Sequence, residues 1–271
     1  MAGPFAPFEP HGNGGPRIRE IPLRLIVPNL ITVLAICAGL SGIRLAFEGR
    51  LETAVLMVLL AAFLDAVDGR VARMLKATSK FGAQMDSLAD IVNFGVAPAL
   101  VLYAYILEGA GALGWIAALL FAIACGLRLA RFNVMLDDED KPAWQGDYFV
   151  GIPAPAGAAL VMLPIYLGFV GIEPGPTLEL AACVYTIAVG FLLISRLPVY
   201  SGKASGSRVR RELVIPIMLG VVLYALLLAS FTWVTLSASA VLYFGFLIVS
   251  VRAYARRAAQ EEAKQESGKE E

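Results

Sequence analysis

Four aspartates, Asp65, Asp68, Asp86 and Asp90, fall at intervals that a helix converts into stripes. The stretch that holds them reads D-A-V-D-G-R-V-A-R-M-L-K-A-T-S-K-F-G-A-Q-M-D-S-L-A-D. On one helix Asp65, Asp68, Gly69 and Ala72 stand at i, i+3, i+4 and i+7, with Arg73 at the edge of that face. On the next, Gly82, Asp86 and Asp90 stand at i, i+4 and i+8, and Asn93 follows nearby. A short turn around Thr78 and Ser79 would set the two helices antiparallel and present all four carboxylates to one cavity. Carboxylates crowded in a low-dielectric site repel one another, so they hold protons or gather cations. With oxygen ligands alone the expected ion is hard, Mg2+ or Mn2+, and Mg2+ commonly completes its shell with substrate phosphates and water. Gly69, Ala72 and Gly82 remove side-chain bulk where a nucleotide can approach the backbone, and the planar fork of Arg73 suits a phosphate.

Other chemistries lack their residues. His11 is the only histidine, in the segment E-P-H-G-N-G-G-P, which argues against a Ser-His-Asp hydrolase, a Cys-His protease and a His-ligated zinc site. Cys37, Cys125 and Cys183 are odd in number, far apart and set in apolar runs, so they offer neither a disulfide framework nor a metal knuckle.

The elements that carry the aspartates must lie in lipid. Hydrophobic residues make up 58% of the 271 and charged residues 16%, against roughly 25% in soluble domains. Lys plus Arg and Asp plus Glu both number 22, so net charge gives no footprint for nucleic acid. A membrane helix needs about 20 mostly apolar residues. Uncharged runs at Leu25 to Ile43, Gly109 to Leu127, Tyr148 to Ile172 and Leu180 to Ser195 each supply one span. Leu213 to Val251 would reach about 58 Å as one helix, so it must fold back, with its turn between Ser230 and Ser239 around Trp233. Thr53 to Leu64 and Ile91 to Leu107 are too short unless they take in Asp65 and Asp68, and Asp86 and Asp90, respectively. The fold class expected is therefore an all-α, polytopic membrane bundle of about eight helices, with four aspartates drawn below the surface. Ionisable groups in that position usually serve a function.

Basic residues orient the bundle. With the first loop outside, only Arg44 and Arg50 lie on that side, which makes both termini and the aspartate end cytoplasmic. The first 15 residues have no signal-peptide pattern and read as a flexible tail. Residues 16–255 read as one transmembrane catalytic domain, in which Pro16 to Leu25 has the mixed pattern of an interfacial segment or of a plain positive-inside flank. Residues 256–271 form a charged tail, and Asp137 to Asp147 a solvated loop.

The pattern D-x2-D-G-x2-A-R-x8-G-x3-D-x3-D resembles the signature of the CDP-alcohol phosphatidyltransferases at every fixed position. The resemblance implies an integral-membrane transferase in which a hydroxyl attacks the phosphatidyl phosphorus of a CDP-linked lipid and CMP leaves. It makes Asp65, Asp68 and Asp86 metal ligands, and Asp90 the catalytic proton acceptor and a ligand to a second of two ions. Gly69, Arg73 and Ser79 would contact the CDP-lipid beside Ala72 and Gly82, as would Asn29 in the P-N-L-I-T segment. A homodimer is implied as well.

The signature is shared by enzymes that use glycerol phosphate, inositol phosphate, choline or serine. P-N-L-I-T, F-G-A-Q-M-D-S-L-A-D-I-V-N-F-G-V-A-P, R-L-A-R-F-N and G-I-P-A-P-A together look like the bacterial, membrane-integral phosphatidylserine synthases of the cytoplasmic membrane. That likeness implies CDP-diacylglycerol and L-serine as substrates. Asn93 stands where Ser is common in those enzymes. A serine carboxylate would suit Arg128 or Arg131, one turn apart, with Asn133 as a neutral partner, although arginines bind an acceptor phosphate equally well.

Plainer roles exist for each residue. Asp65 and Asp68 alone read as a snorkelling pair, and Arg128 and Arg131 as topology anchors. Ser79 can cap a helix, Asn29 can bond a neighbouring helix, and Gly69 and Gly82 can serve close packing. The rival class is a cation- or proton-coupled transporter. Against it stand the clustering of the acids at one membrane face and the adjacent Arg73.

Overall fold

The computed structural model describes residues 23–76, 79–136, 148–200 and 211–267. The tail 1–15 with His11, most of the segment 16–25, Thr78 and the loop Asp137 to Asp147 lie outside the described residues.

The chain opens with the helical hairpin α1 (Leu23–Phe47) and α2 (Leu51–Met74). Its turn is set by Gly49 at φ 77°: the Gly49 amide bonds Ala46 O at 3.0 Å and the Arg50 amide bonds Leu45 O at 2.9 Å. These are the two closing bonds of a Schellman turn, which needs a residue free of the Cβ penalty at that position. Gly42 then lets α1 lie close to α2, since a Cβ there would meet the Ala54 carbonyl at 3.0 Å. α3 (Lys80–Asp90) runs into a π-helical turn at Ile91–Val96 and on into α4 (Ala97–Tyr105). Pro98 explains the wide turn. It has no N–H to donate, and its ring would crowd the carbonyl four residues back, so the backbone swells and the Ala97 amide bonds Val92 O instead.

α5 (Ala112–Leu136) is followed by β1 (Tyr148–Val150), α6 (Ala154–Val161), α7 (Leu163–Val170), α8 (Pro176–Ile194), β2 (Pro198–Tyr200), α9 (Arg211–Ser230) and α10 (Thr232–Ser267). The span expected at Tyr148 to Ile172 is corrected in two ways. Its first residues are not helical: β1 pairs antiparallel with β2 in the register Tyr148 to Tyr200 and Val150 to Pro198, a two-stranded ribbon in an otherwise helical protein. The remainder breaks at Met162, where Pro164 in the first turn of α7 cannot continue the ladder of α6. The long uncharged stretch does fold back, at Phe231 between α9 and α10, and Trp233 enters the first turn of α10.

Among the described residues, six helices are long and apolar enough to cross a membrane: residues 26–47, 81–105, 112–134, 176–194, 212–230 and 232–256. Counting α2 and the broken pair α6–α7 as crossings gives eight. α10 runs on to Ser267, so the first part of the charged tail continues a helix. The core lies among α4 to α8, around the fully buried Phe94, Phe121, Leu102, Ile152, Tyr166 and Leu193. α9 has none of its described side chains buried, with Ile215 69% and Val221 65% exposed. A helix this open and uncharged from Leu213 on is stable only against lipid or another apolar surface.

Candidate active site

The C-terminal halves of α2 and α3 bring the aspartates together, as their spacing predicts. Carboxylate oxygens of Asp65, Asp68 and Asp86 all lie within 4.8 Å of one another. The Asp90 carboxyl, one turn beyond Asp86, reaches hydrogen-bonding range of Asp65. Ser79 opens α3 from an extended backbone, and its Oγ accepts the Gly82 amide at 2.9 Å. It therefore caps the helix, and it stands at the cleft as well. A Cβ on Gly82 would come within 3.1 Å of both the Ser79 hydroxyl and the Asn29 amide oxygen, so glycine holds open the seam between α1 and α3.

That seam is a cleft of about 170 Å³ walled by Asn29, Asp68, Gly69, Ala72, Arg73, Ser79, Gly82 and Asp86, together with Pro28, Thr32 and Ala83. Pockets that enclose a drug-sized ligand run to ~300–1,000 Å³. This one takes only part of a large amphiphile, a nucleotide or diphosphate end. Every residue expected to contact a CDP-lipid lines it. Arg73 is exposed at its rim and faces the field of Asp86.

Thr32 escaped the sequence reading. Its hydroxyl donates to Asp68 Oδ2 at 2.6 Å and also lies 3.1 Å from the Pro28 carbonyl. The available signal was its place one turn after Asn29 in P-N-L-I-T. Asp68 is 2% exposed, and this bond fixes one of its oxygens while Oδ1 has no partner; Asp65 Oδ1 is likewise buried and unpartnered. Two orphaned carboxylate oxygens in a three-carboxylate cluster fit a divalent cation. Mg2+–O bonds are ~2.0–2.1 Å, so opposite ligands sit ~4.2 Å apart, and the observed spread closes with an adjustment of about half an ångström.

The residues assigned to an acceptor separate. Arg128 is 7% exposed, stacks 5.2 Å over the Phe132 ring and lies in the field of Asp90. Asn93 is fully buried in the π-turn, neither atom of its amide has a partner, and it faces Gly39 of α1, where a Cβ would come within 2.7 Å of its oxygen. Arg131 has a different employment from the one expected. Its guanidinium donates to the carbonyls of Ile194 (2.7 Å), Val150 (3.0 Å), Ser195 (3.1 Å) and Leu193 (3.4 Å), tying the end of α8 to the end of β1. Main-chain oxygens occupy the donors that an acceptor anion would need. Asn133 is exposed and donates to Ser87 Oγ at 3.1 Å, lashing α5 to α3.

Comparison with known proteins gives the family. The sequence profile described as CDP-alcohol phosphatidyltransferase matches residues 25–195, and that described as CDP-alcohol phosphatidyltransferase 2 matches residues 212–247. The chain is 47% identical over 183 residues to the CDP-diacylglycerol–serine O-phosphatidyltransferase of Mycobacterium leprae, covering 68% of this chain and 61% of that protein. It is 37% identical over 138 residues to the enzyme of the same name from Bacillus subtilis, covering 51% and 74%. It is 34% identical over 182 residues to the archaetidylserine synthase of Methanothermobacter thermautotrophicus, covering 65% and 70%. The matches span between 50% and 61% of the length of the mycobacterial relatives.

Proposed function

Because the chain belongs to the CDP-alcohol phosphatidyltransferase family, we propose that it transfers the phosphatidyl group of CDP-diacylglycerol to the hydroxyl of L-serine, giving phosphatidylserine and CMP. The observation that carries the reading is the convergence of Asp65, Asp68 and Asp86 beside a cleft of nucleotide-end size. The names of the relatives support serine as acceptor.

In this reading Asn29, Gly69, Ala72 and Gly82 receive the nucleotide end, Arg73 and Ser79 hold its phosphates, and the acyl chains stay in lipid. Asp65, Asp68, Asp86 and Asp90 would hold two divalent ions, Mg2+ or Mn2+. Such ions, when bound, neutralise diphosphate charge and ease the departure of CMP. Asp90 accepts the proton of the serine hydroxyl as its oxygen attacks the phosphatidyl phosphorus and the bond from that phosphorus to CMP breaks. Arg128 receives the serine carboxylate, and Asn93 positions the acceptor from the π-turn. The site faces the cytoplasm, as do both termini, in the bacterial cytoplasmic membrane. Residues 16–255 work as one catalytic domain, and two copies form a homodimer, for which exposed α9 offers an apolar face.

The test is CMP release by purified protein in detergent, with CDP-diacylglycerol, Mg2+ or Mn2+, and separate acceptors. Release with L-serine but not with glycerol phosphate, inositol phosphate or choline is expected. Release with another acceptor alone reassigns the head group. No release with any acceptor from folded protein overturns the transferase reading.

A further inference from the structure

Beyond the nucleotide cleft, two of the buried donors without partners belong to residues in electrostatic range of each other, Arg128 and Tyr243. Arg128 is 7% exposed and its Nε has no hydrogen-bond partner. Among the described residues the one ion pair is Arg44 with Glu48, so no carboxylate closes on the Arg128 guanidinium. The Tyr243 hydroxyl on α10 is also sealed from solvent and unpartnered, and it lies in electrostatic range of Arg128, as Asp90 does. A buried cation and a buried phenol with nothing to bond are both costly, and an anion that bonds both relieves both.

Contacts along α10 hold Tyr243 in place. Its ring packs against Phe246, with centroids 5.8 Å apart. Two turns further along α10, Ser250 is locked to β2: its hydroxyl accepts the Tyr200 amide at 2.7 Å and donates to the Pro198 carbonyl at 2.9 Å. The helix that carries the phenol is thus pinned at the end nearer the ribbon. A carboxylate matches the donors, because a guanidinium fork offers two parallel N–H bonds and the phenol adds a third from a different direction. In serine the carboxylate and the hydroxyl are two carbons apart. An anchor beside Asp90 therefore brings the hydroxyl to the group that takes its proton.

We propose that Tyr243 is a specificity-determining residue of the acceptor site, donating its hydroxyl proton in a hydrogen bond to the carboxylate that Arg128 grips. The inference rests on serine being the acceptor, and it gives α10 a part in choosing the substrate.

The test compares the wild-type chain with Tyr243→Phe, full length in detergent with CDP-diacylglycerol and Mn2+, using L-serine and L-serinamide as acceptors. Serinamide keeps the hydroxyl and removes the carboxylate. In the variant the KM for serine should rise about tenfold while that for CDP-diacylglycerol stays within twofold, and the preference for serine over serinamide should shrink by a similar factor. The preference ratio does not depend on how much of a preparation is folded, so partial misfolding of the variant does not blur it. Serine-dependent CMP release with an unchanged ratio overturns the role of Tyr243 alone. Absence of serine-dependent release in the wild type overturns the serine reading and this inference with it.

Discussion

Thr32 is the residue on which the acidic cluster turns most quietly. Its 2.6 Å bond to Asp68 aims one carboxylate from a helix 36 residues earlier in the chain. Groups that orient a metal ligand typically matter by ~10–100-fold in metal affinity. Thr32→Val, which keeps the shape and removes the donor, should raise the Mn2+ concentration for half-maximal CMP release by about tenfold, read from a metal titration. Asp90→Asn should lower turnover by ~100-fold or more while CDP-diacylglycerol still binds, read by CMP release beside nucleotide-lipid binding. Near-normal turnover in that variant removes Asp90 as the proton acceptor. The aspartates were legible because short helical intervals put them on common faces. Thr32 and Tyr243 were not, because their partners come from distant segments and no local spacing encodes them. The carbonyl bonds of Arg131 were not legible for a related reason: charge does not tell whether a guanidinium will meet a substrate anion or a row of carbonyls.

At the scale of elements, that row of carbonyls defines a joint. Gly151 stands at φ 81°, and a Cβ there would come within 2.6 Å of the Leu193 carbonyl and 2.9 Å of Arg131, so the strand-to-helix corner, the end of α8 and the guanidinium close on one another. Arg131→Met should lower stability by about 3 kcal/mol, seen as a lower melting temperature in detergent, while KM for the acceptor in the surviving fraction stays within twofold. A large acceptor KM change without loss of stability would return Arg131 to the substrate. Most spans were readable from uncharged runs, though not the break within Tyr148 to Ile172, and the reversal between α9 and α10 was readable from simple excess of length. The π-turn was not: Pro98 marked a disturbance of the helix, but only the packed structure shows the backbone widening just after Asp90 and seating Asn93 against Gly39.

For the molecule as a whole, hydropathy and family pattern together carried the architecture, and the placement of charge gives the orientation we propose. If the aspartate end faces the cytoplasm, a cysteine introduced at Gly49 should react from outside intact cells with an impermeant maleimide, whereas one at Lys76 should react only after lysis. The reverse pattern would invert the topology. The account as a whole depends on one property of the bundle, that α2 and α3 gather their carboxylates around divalent metal. Mn2+ titration of the purified protein, following the loss of the free-ion electron paramagnetic resonance signal in the presence of CDP-diacylglycerol, measures that property directly. The wild type should bind saturably, and Asp68→Asn and Asp86→Asn, each folded by melting temperature, should bind at least about tenfold more weakly. Equal Mn2+ binding by all three proteins would contradict the account.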